Sequence, residues 1–232
     1  MQFVPDDAWE LVQAAVLDSL VGNFAAAIEK FEKAVELHPT YEGAWQSLAM
    51  AHKDVGSLPL AQVAVRRGLE HLPESSALWT TLGTFYIQIE GMESLAEEAY
   101  RKAVEYSPEN SVAVLNLSST IAGMGKLEEA ERILTKSREG PLDSEIFVES
   151  NTLASHIWAQ LALYRAQLGN YAGTQEACEK SLAIEQNPAG LVVVGKAYAL
   201  IGDVKSAKQY LPDDCTTWYD IGFHLKLSLI HI

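Results

Sequence analysis

Hydrophobic positions recur along this chain in two linked registers. In one, an aliphatic residue is followed directly by a small one: Leu48-Ala49, Leu82-Gly83, Leu117-Ser118, Leu161-Ala162, Val194-Gly195 and Ile221-Gly222. In the other, a small residue is followed four positions later by a bulky one: Ala27/Phe31, Ala61/Val65, Ala96/Tyr100, Ala130/Leu134 and Ala207/Leu211. Glycine separates the registers at Gly22, Gly56, Gly91, Gly125, Gly169 and Gly202, at intervals of 34, 35, 34, 44 and 33 residues. Four-residue spacing places side chains on one face of a helix, and glycine at such a break accepts the left-handed backbone that ends one. The pattern predicts an all-α chain of antiparallel helix pairs, the first with helices over Asp6–Leu20 and Phe24–His38.

In this phase the repeats run Ala8–Tyr41, Glu42–Ser75, Ser76–Asn110 with one extra residue before its turn, and Ser111–Ser144. A fifth covers Ser155–Asn187, a sixth Pro188–Asp214, and a seventh begins at Cys215. Small residues at the eighth position and on the second helix let the paired helices approach closely. Asn23, Asn170 and Asp203 follow their turn glycines as expected helix caps. Pro39, Pro73, Pro108 and Pro188 cannot continue a helix and close the second one. No single pair can bury its apolar face alone, so stacked neighbours supply the core.

This arrangement resembles the tetratricopeptide repeat family. Its bulky fourth position is Trp45, Trp79, Trp158 and Trp218, replaced by Leu11, Val114 and Leu191 elsewhere. The resemblance implies a right-handed solenoid, an α-α superhelix, with four repeats in 6–144, two more in 145–214 after an 11-residue insertion, and the first helix of a truncated seventh in 215–226. The apolar end, 227–232, reads as a truncated or non-native tail. The insertion, 143–154, is expected to lengthen the first helix of repeat five from Asp143 or Ser144.

Charge narrows the partner. The 17 Lys and Arg stand against 31 Asp and Glu, a net charge of −14. That excess disfavours nucleic acid, which needs clustered cations, and an anionic membrane surface. The two cysteines, Cys178 and Cys215, fit no metal spacing. With no membrane-length apolar run and no signal-like start at Met1–Asp7, the chain is expected to be cytoplasmic.

Catalytic patterns are missing from the sequence. Gly123-Met124-Gly125-Lys126 imitates a phosphate loop, yet Thr120 stands where the first glycine belongs and Leu127 where Ser or Thr would bind magnesium. His38 and His71 fall near second-helix ends, where a cation complements the helix dipole, and His52 falls at a packing position. The acid pairs Glu97-Glu98 and Glu128-Glu129 are expected at the starts of second helices. No enzyme activity, cofactor or metal is expected.

What remains is a binding surface. In the family that the chain resembles, the first helices line a concave groove. The corresponding candidates are Val12, Gln13, Gln46, Ser47, Met50, Thr81, Thr84, Leu115, Asn116, Gln160 and Leu163. Neutral polar groups at the sixth position, Gln13, Ser47, Thr81, Asn116 and Gln160, could hydrogen-bond a peptide backbone, with Met50, Leu115 and Leu163 taking apolar side chains. The clamp with which chaperone-binding relatives hold C-terminal carboxylates is not matched. Val12, Val16 and Ser47, or Gln46, Met50 and Thr81 one repeat later, stand at the positions matching its Lys, Arg and Asn. The expected function is a non-catalytic scaffold holding a peptide or helical segment of a protein partner. The alternative is a regulatory or substrate-recruiting arm of a larger enzyme, for example of the glycosyltransferase type. The sequence assigns no oligomeric state.

Overall fold

The computed structural model describes residues 6–139 and 151–211, which form twelve helices and no strand. They are α1 (Asp6–Leu20), α2 (Phe24–Leu37), α3 (Glu42–Asp54), α4 (Leu58–His71), α5 (Ser76–Tyr86) and α6 (Glu93–Tyr106), followed by α7 (Ser111–Gly123), α8 (Leu127–Glu139), α9 (Asn151–Gln167), α10 (Tyr171–Ile184), α11 (Pro188–Leu200) and α12 (Val204–Tyr210). The fold is an all-α solenoid of paired helices. Contacts divide the chain into two compact units, Met1–Thr120 and Ile121–Ile232.

In the first unit each helix from α1 to α5 packs on its successor, and the first helices α1, α3 and α5 also touch in turn. Such contacts, within a repeat and between adjacent repeats, are how stacked repeats share a core. In the second unit α9 packs on α8, α10 and α11, and α11 packs on α12. The expected helix start near Asp143 and everything beyond Leu211 lie outside the described residues.

Five of the glycine turns share one geometry. The residue after the glycine donates its N–H to the carbonyl five positions earlier, as in Asn23 to Asp18 at 2.8 Å and Ser57 to His52 at 2.8 Å. The glycine itself bonds three positions back, Gly22 to Ser19 at 3.0 Å and Gly56 to Lys53 at 2.8 Å. This pair of bonds satisfies the last carbonyls of the helix and needs a left-handed residue. The six turn glycines supply it, with φ between 74° and 83°. Repeat three departs from the pattern. Here α5 ends at Tyr86, and Met92, which follows Gly91, donates its N–H only three positions back, to Ile89 O at 3.1 Å.

Helix starts are less uniform than expected. Asn170 and Asp203 accept from the N–H of Gly173 and Ser206, whereas Asn23 stands at its cap position without a side-chain bond. Asn110, Ser75 and Asn187 cap α7, α5 and α11 by the same three-residue reach. Glu128 and Glu129 fall in the first turn of α8. Glu97 and Glu98 fall in the second turn of α6, where they pair with Arg101 at 2.6 Å and Lys102 at 3.5 Å. Glu93 is the acid in that helix's first turn.

Small residues set the spacing inside the pairs. A Cβ on Gly83 would stand 2.7 Å from the Tyr100 ring, and one on Gly195 would stand 2.7 Å from Leu211 Cγ. Ala49, Ser118 and Ala162, at the same repeat position, are fully enclosed. Ala61 and Ala130 on the second helices are enclosed too, so a larger side chain there must displace its neighbours.

Three of the fourth-position tryptophans, Trp45, Trp79 and Trp158, are anchored by polar and cationic contacts. Trp45 donates its indole N–H to Pro39 O and Trp79 to Pro73 O, both at 2.8 Å. A cation from the paired second helix then lies over each ring: Arg67 at 5.5 Å from Trp45, Lys102 at 4.3 Å from Trp79 and Lys180 at 4.4 Å from Trp158.

Candidate functional site

The first helices of unit 1 carry a cleft of about 550 Å³. Val16, Ser19 and Leu20 come from α1, Phe24 and Phe31 from α2, Gln46, Ser47, Met50, Ala51 and Asp54 from α3, and Thr81 from α5. Leu20 is 77% exposed and Met50 41%, large values for apolar side chains. Trp9, Leu17 and Val21 are exposed on the same helix and turn. Exposed apolar side chains beside a cleft are what an interaction surface presents.

Of the sequence candidates, this cleft gathers Gln46, Ser47, Met50 and Thr81. Gln13 is exposed on α1 outside it. Val12 and Leu115 are only 4% and 8% exposed, so they offer a ligand little surface. Both occupy the fifth repeat position. Gln46, at that position in α3, reaches the Thr81 hydroxyl on α5 at 3.3 Å, which shows the position facing the seam between successive first helices. Asn116 is half-buried on α7. Gln160 and Leu163 are half-buried on α9, in the second unit.

The neutral polar stripe is partly engaged within the fold. Thr81 donates its hydroxyl to Ala77 O at 2.9 Å and accepts from Gln46. Thr84 donates to Thr80 O at 2.9 Å and accepts from the Tyr100 hydroxyl at 3.2 Å. Threonine back-bonding of this kind uses the donor that a peptide carbonyl would need. The cleft thus joins the apolar Val16, Leu20, Phe24, Phe31, Met50 and Ala51 to a polar lining of Ser19, Gln46, Ser47, Asp54 and Thr81. Sequence position alone missed Leu20, Phe24, Phe31 and Asp54, which enter the cleft from the end of a first helix and from the second helix.

A second cleft, of about 430 Å³, lies among α4, α5 and α6 and includes Leu69, Trp79, Tyr86 and Leu95. Its cations are already engaged: Arg66 donates to the Tyr86 hydroxyl at 2.8 Å, and Lys102 covers Trp79.

Two of the described histidines contact other side chains within the fold. His38 Nε2 lies 3.2 Å from Asp7 Oδ1, and His71 stacks on Trp45 with centroids 6.0 Å apart. Burial lowers the pKa of His156. Among the described residues no three His, Cys, Asp or Glu side chains gather as a metal site would require, and no helix is long and apolar enough to cross a membrane.

Cys178 is enclosed, and burial pushes its thiol pKa from an ordinary 9.0 up to about 12, against the opposing hydrogen bond with Tyr198. Because the unfolded chain loses this proton first, ionisation favours unfolding. The contribution is whole below pH 9 and is lost as pH rises toward 12. In a Cys215→Ser variant at pH 8, thiol reagents should therefore modify Cys178 at least about a hundredfold more slowly in the folded chain than in denaturant. Equal rates would show the thiol to be accessible.

Comparison with known proteins places this geometry. The tetratricopeptide repeat family model matches residues 76–110, which hold α5 and α6. The solved structure of PilF from Pseudomonas aeruginosa superposes with a TM-score of 0.65 at 18% identity, covering 88% of this chain and 89% of that one. The chain contains tetratricopeptide repeats. PilW, a type IV pilus biogenesis factor, is similar in fold, with a TM-score of 0.64 at 19% identity over 89% of this chain and 91% of that one.

In sequence, the type IV pilus assembly protein PilF of Pseudomonas aeruginosa is 27% identical over 144 residues, 62% of this chain and 54% of that protein. The heat-shock protein cognate co-chaperone sgt12 of Aspergillus fumigatus is 25% identical over 186 residues, 75% of this chain and 46% of that protein. The chain thus spans about half the length of these curated relatives. The comparisons support a general protein-binding role for a tetratricopeptide-repeat chain of this kind.

Proposed function

We propose that the chain is a non-catalytic scaffold whose first-helix cleft in unit 1 receives a peptide or helical segment of a protein partner. The observation that carries this reading is the exposure of Val16, Leu20 and Met50 around one cleft that Phe24, Phe31 and Ala51 also line. Apolar anchors set into such a trough are how helical and extended segments are held. The assembly and co-chaperone roles in the names of PilF and sgt12 point the same way. Asp54 is the charged member of the cleft lining, which suits a chaperone's C-terminal carboxylate poorly.

The test is capture by the intact chain, compared with a Leu20→Ala/Met50→Ala double variant. Both residues are exposed, so truncation leaves the core intact. Each loses up to about 1.5–3 kcal/mol of apolar burial on binding, so the wild type should hold its partners at least about tenfold more tightly. Unchanged affinity for every captured protein would refute the cleft assignment.

A further inference from the structure

The cleft's electrostatics say which kind of segment it would accept, and this step rests on the cleft being the binding surface. Helix α1 carries Asp7, Glu10 and Asp18 and neither Lys nor Arg. Helix α3 sets Glu42 and Asp54 against Lys53, and α5 has no charged residue. Lys30, reaching in from α2, is held by Asp18, while Ser75 donates to Glu42. Asp54 stands exposed in the cleft wall, and Glu10 is exposed next to Trp9. The cleft is thus an apolar trough with one exposed carboxylate, Asp54, and no Lys or Arg in its lining.

We propose that its occupant is a cationic amphipathic segment of a partner protein, with aliphatic side chains entering between Leu20 and Met50 and Lys or Arg beside Asp54. The charge pattern argues against the other occupants. A second copy would bring the same carboxylates to the same face, on a chain of net charge −14. An acidic tail or an anionic lipid surface would meet like charge.

The probe is a synthetic amphipathic helix of leucine and lysine, with a counterpart in which every lysine is glutamate. Each is titrated into the intact chain at low and high salt. The lysine peptide should bind at least about tenfold more tightly than the glutamate peptide, and its affinity should fall about tenfold between 50 mM and 500 mM salt. Leu20→Ala/Met50→Ala and Asp54→Lys should each weaken it severalfold. Glu179→Lys, the same charge change on α10, should leave it unaltered.

If both peptides bind equally and both respond to Leu20→Ala/Met50→Ala, the cleft stands and the cationic assignment falls. If binding ignores Leu20→Ala/Met50→Ala, the cleft assignment itself falls. If Glu179→Lys weakens binding as much as Asp54→Lys, the attraction is to net charge alone and the proposal is overturned. A dimer seen by sedimentation and lost in Leu20→Ala/Met50→Ala would assign the face to a second copy instead.

Discussion

Trp45→Ala should destabilise the first unit by about 3–5 kcal/mol, the range for deleting a large aromatic from a packed core. Trp45 is 1% exposed and bonded to Pro39 O, with His71 stacked on it and Arg67 above it. Gly68 lies so close that an added Cβ would stand 2.8 Å from the indole. The neighbours are thus shaped to this side chain, and relaxation cannot refill the space. Native-state hydrogen exchange should show the loss in α3 and α4 first, since each repeat is stabilised by its own interfaces. Trp79→Ala provides the internal comparison: it shares the proline bond but is only half-buried, so its cost should be smaller. Equal costs would mean that burial does not set the hierarchy among these tryptophans.

In the second unit the largest single effect expected from a polar residue belongs to Arg165. From α9 its Nε donates to Glu131 on α8 at 3.1 Å, and its Nη1 donates to Gly173 O on α10 at 3.2 Å. A more distant contact joins it to Glu176 at 3.8 Å. Its side chain is 15% exposed and that of Glu131 26%, so solvent screening is limited but present. Arg165→Met keeps most of the volume but takes the cationic donor from Glu131, which retains the Thr135 hydroxyl at 3.1 Å, and the guanidinium donor from Gly173 O. A cost of about 2 kcal/mol is expected, below that for a fully buried pair. Glu131→Met/Arg165→Met should recover part of it, because no partly buried charge is then left alone. Urea unfolding followed at α8–α10 reads both, and a double variant no better than the single one would show that packing, not charge, matters at this junction.

Much of this was legible in the sequence because it is written several times. A glycine every 34 residues or so, an aliphatic-small pair and an alanine one turn before a bulky residue announce the helix pairs with little help from propensity. The site was harder to read. Val12 and Leu115 look like groove residues by repeat position, yet the fifth position faces the seam between neighbouring first helices, and both are buried. Thr81 and Thr84 look like ligand donors, but a threonine on a helix can turn back to its own carbonyls, and these do. Leu20, Phe24 and Asp54 stand at helix ends, where a positional index says least about direction. The cations over the tryptophans recur at a spacing of 22 or 23 residues, from Trp45 to Arg67, Trp79 to Lys102 and Trp158 to Lys180. A charged residue on a helix ordinarily reads as solvent-facing, so that signal is invisible without the ring beneath it.

The most direct measurement is nitrogen-detected amide mapping of the intact chain as the leucine–lysine peptide is added. The account predicts shifts concentrated at Val16, Leu20, Ser47, Met50 and Asp54, around the first-helix cleft of unit 1. Shifts concentrated instead at Trp79, Leu95 and Lys102, around the cleft among α4, α5 and α6, would contradict it.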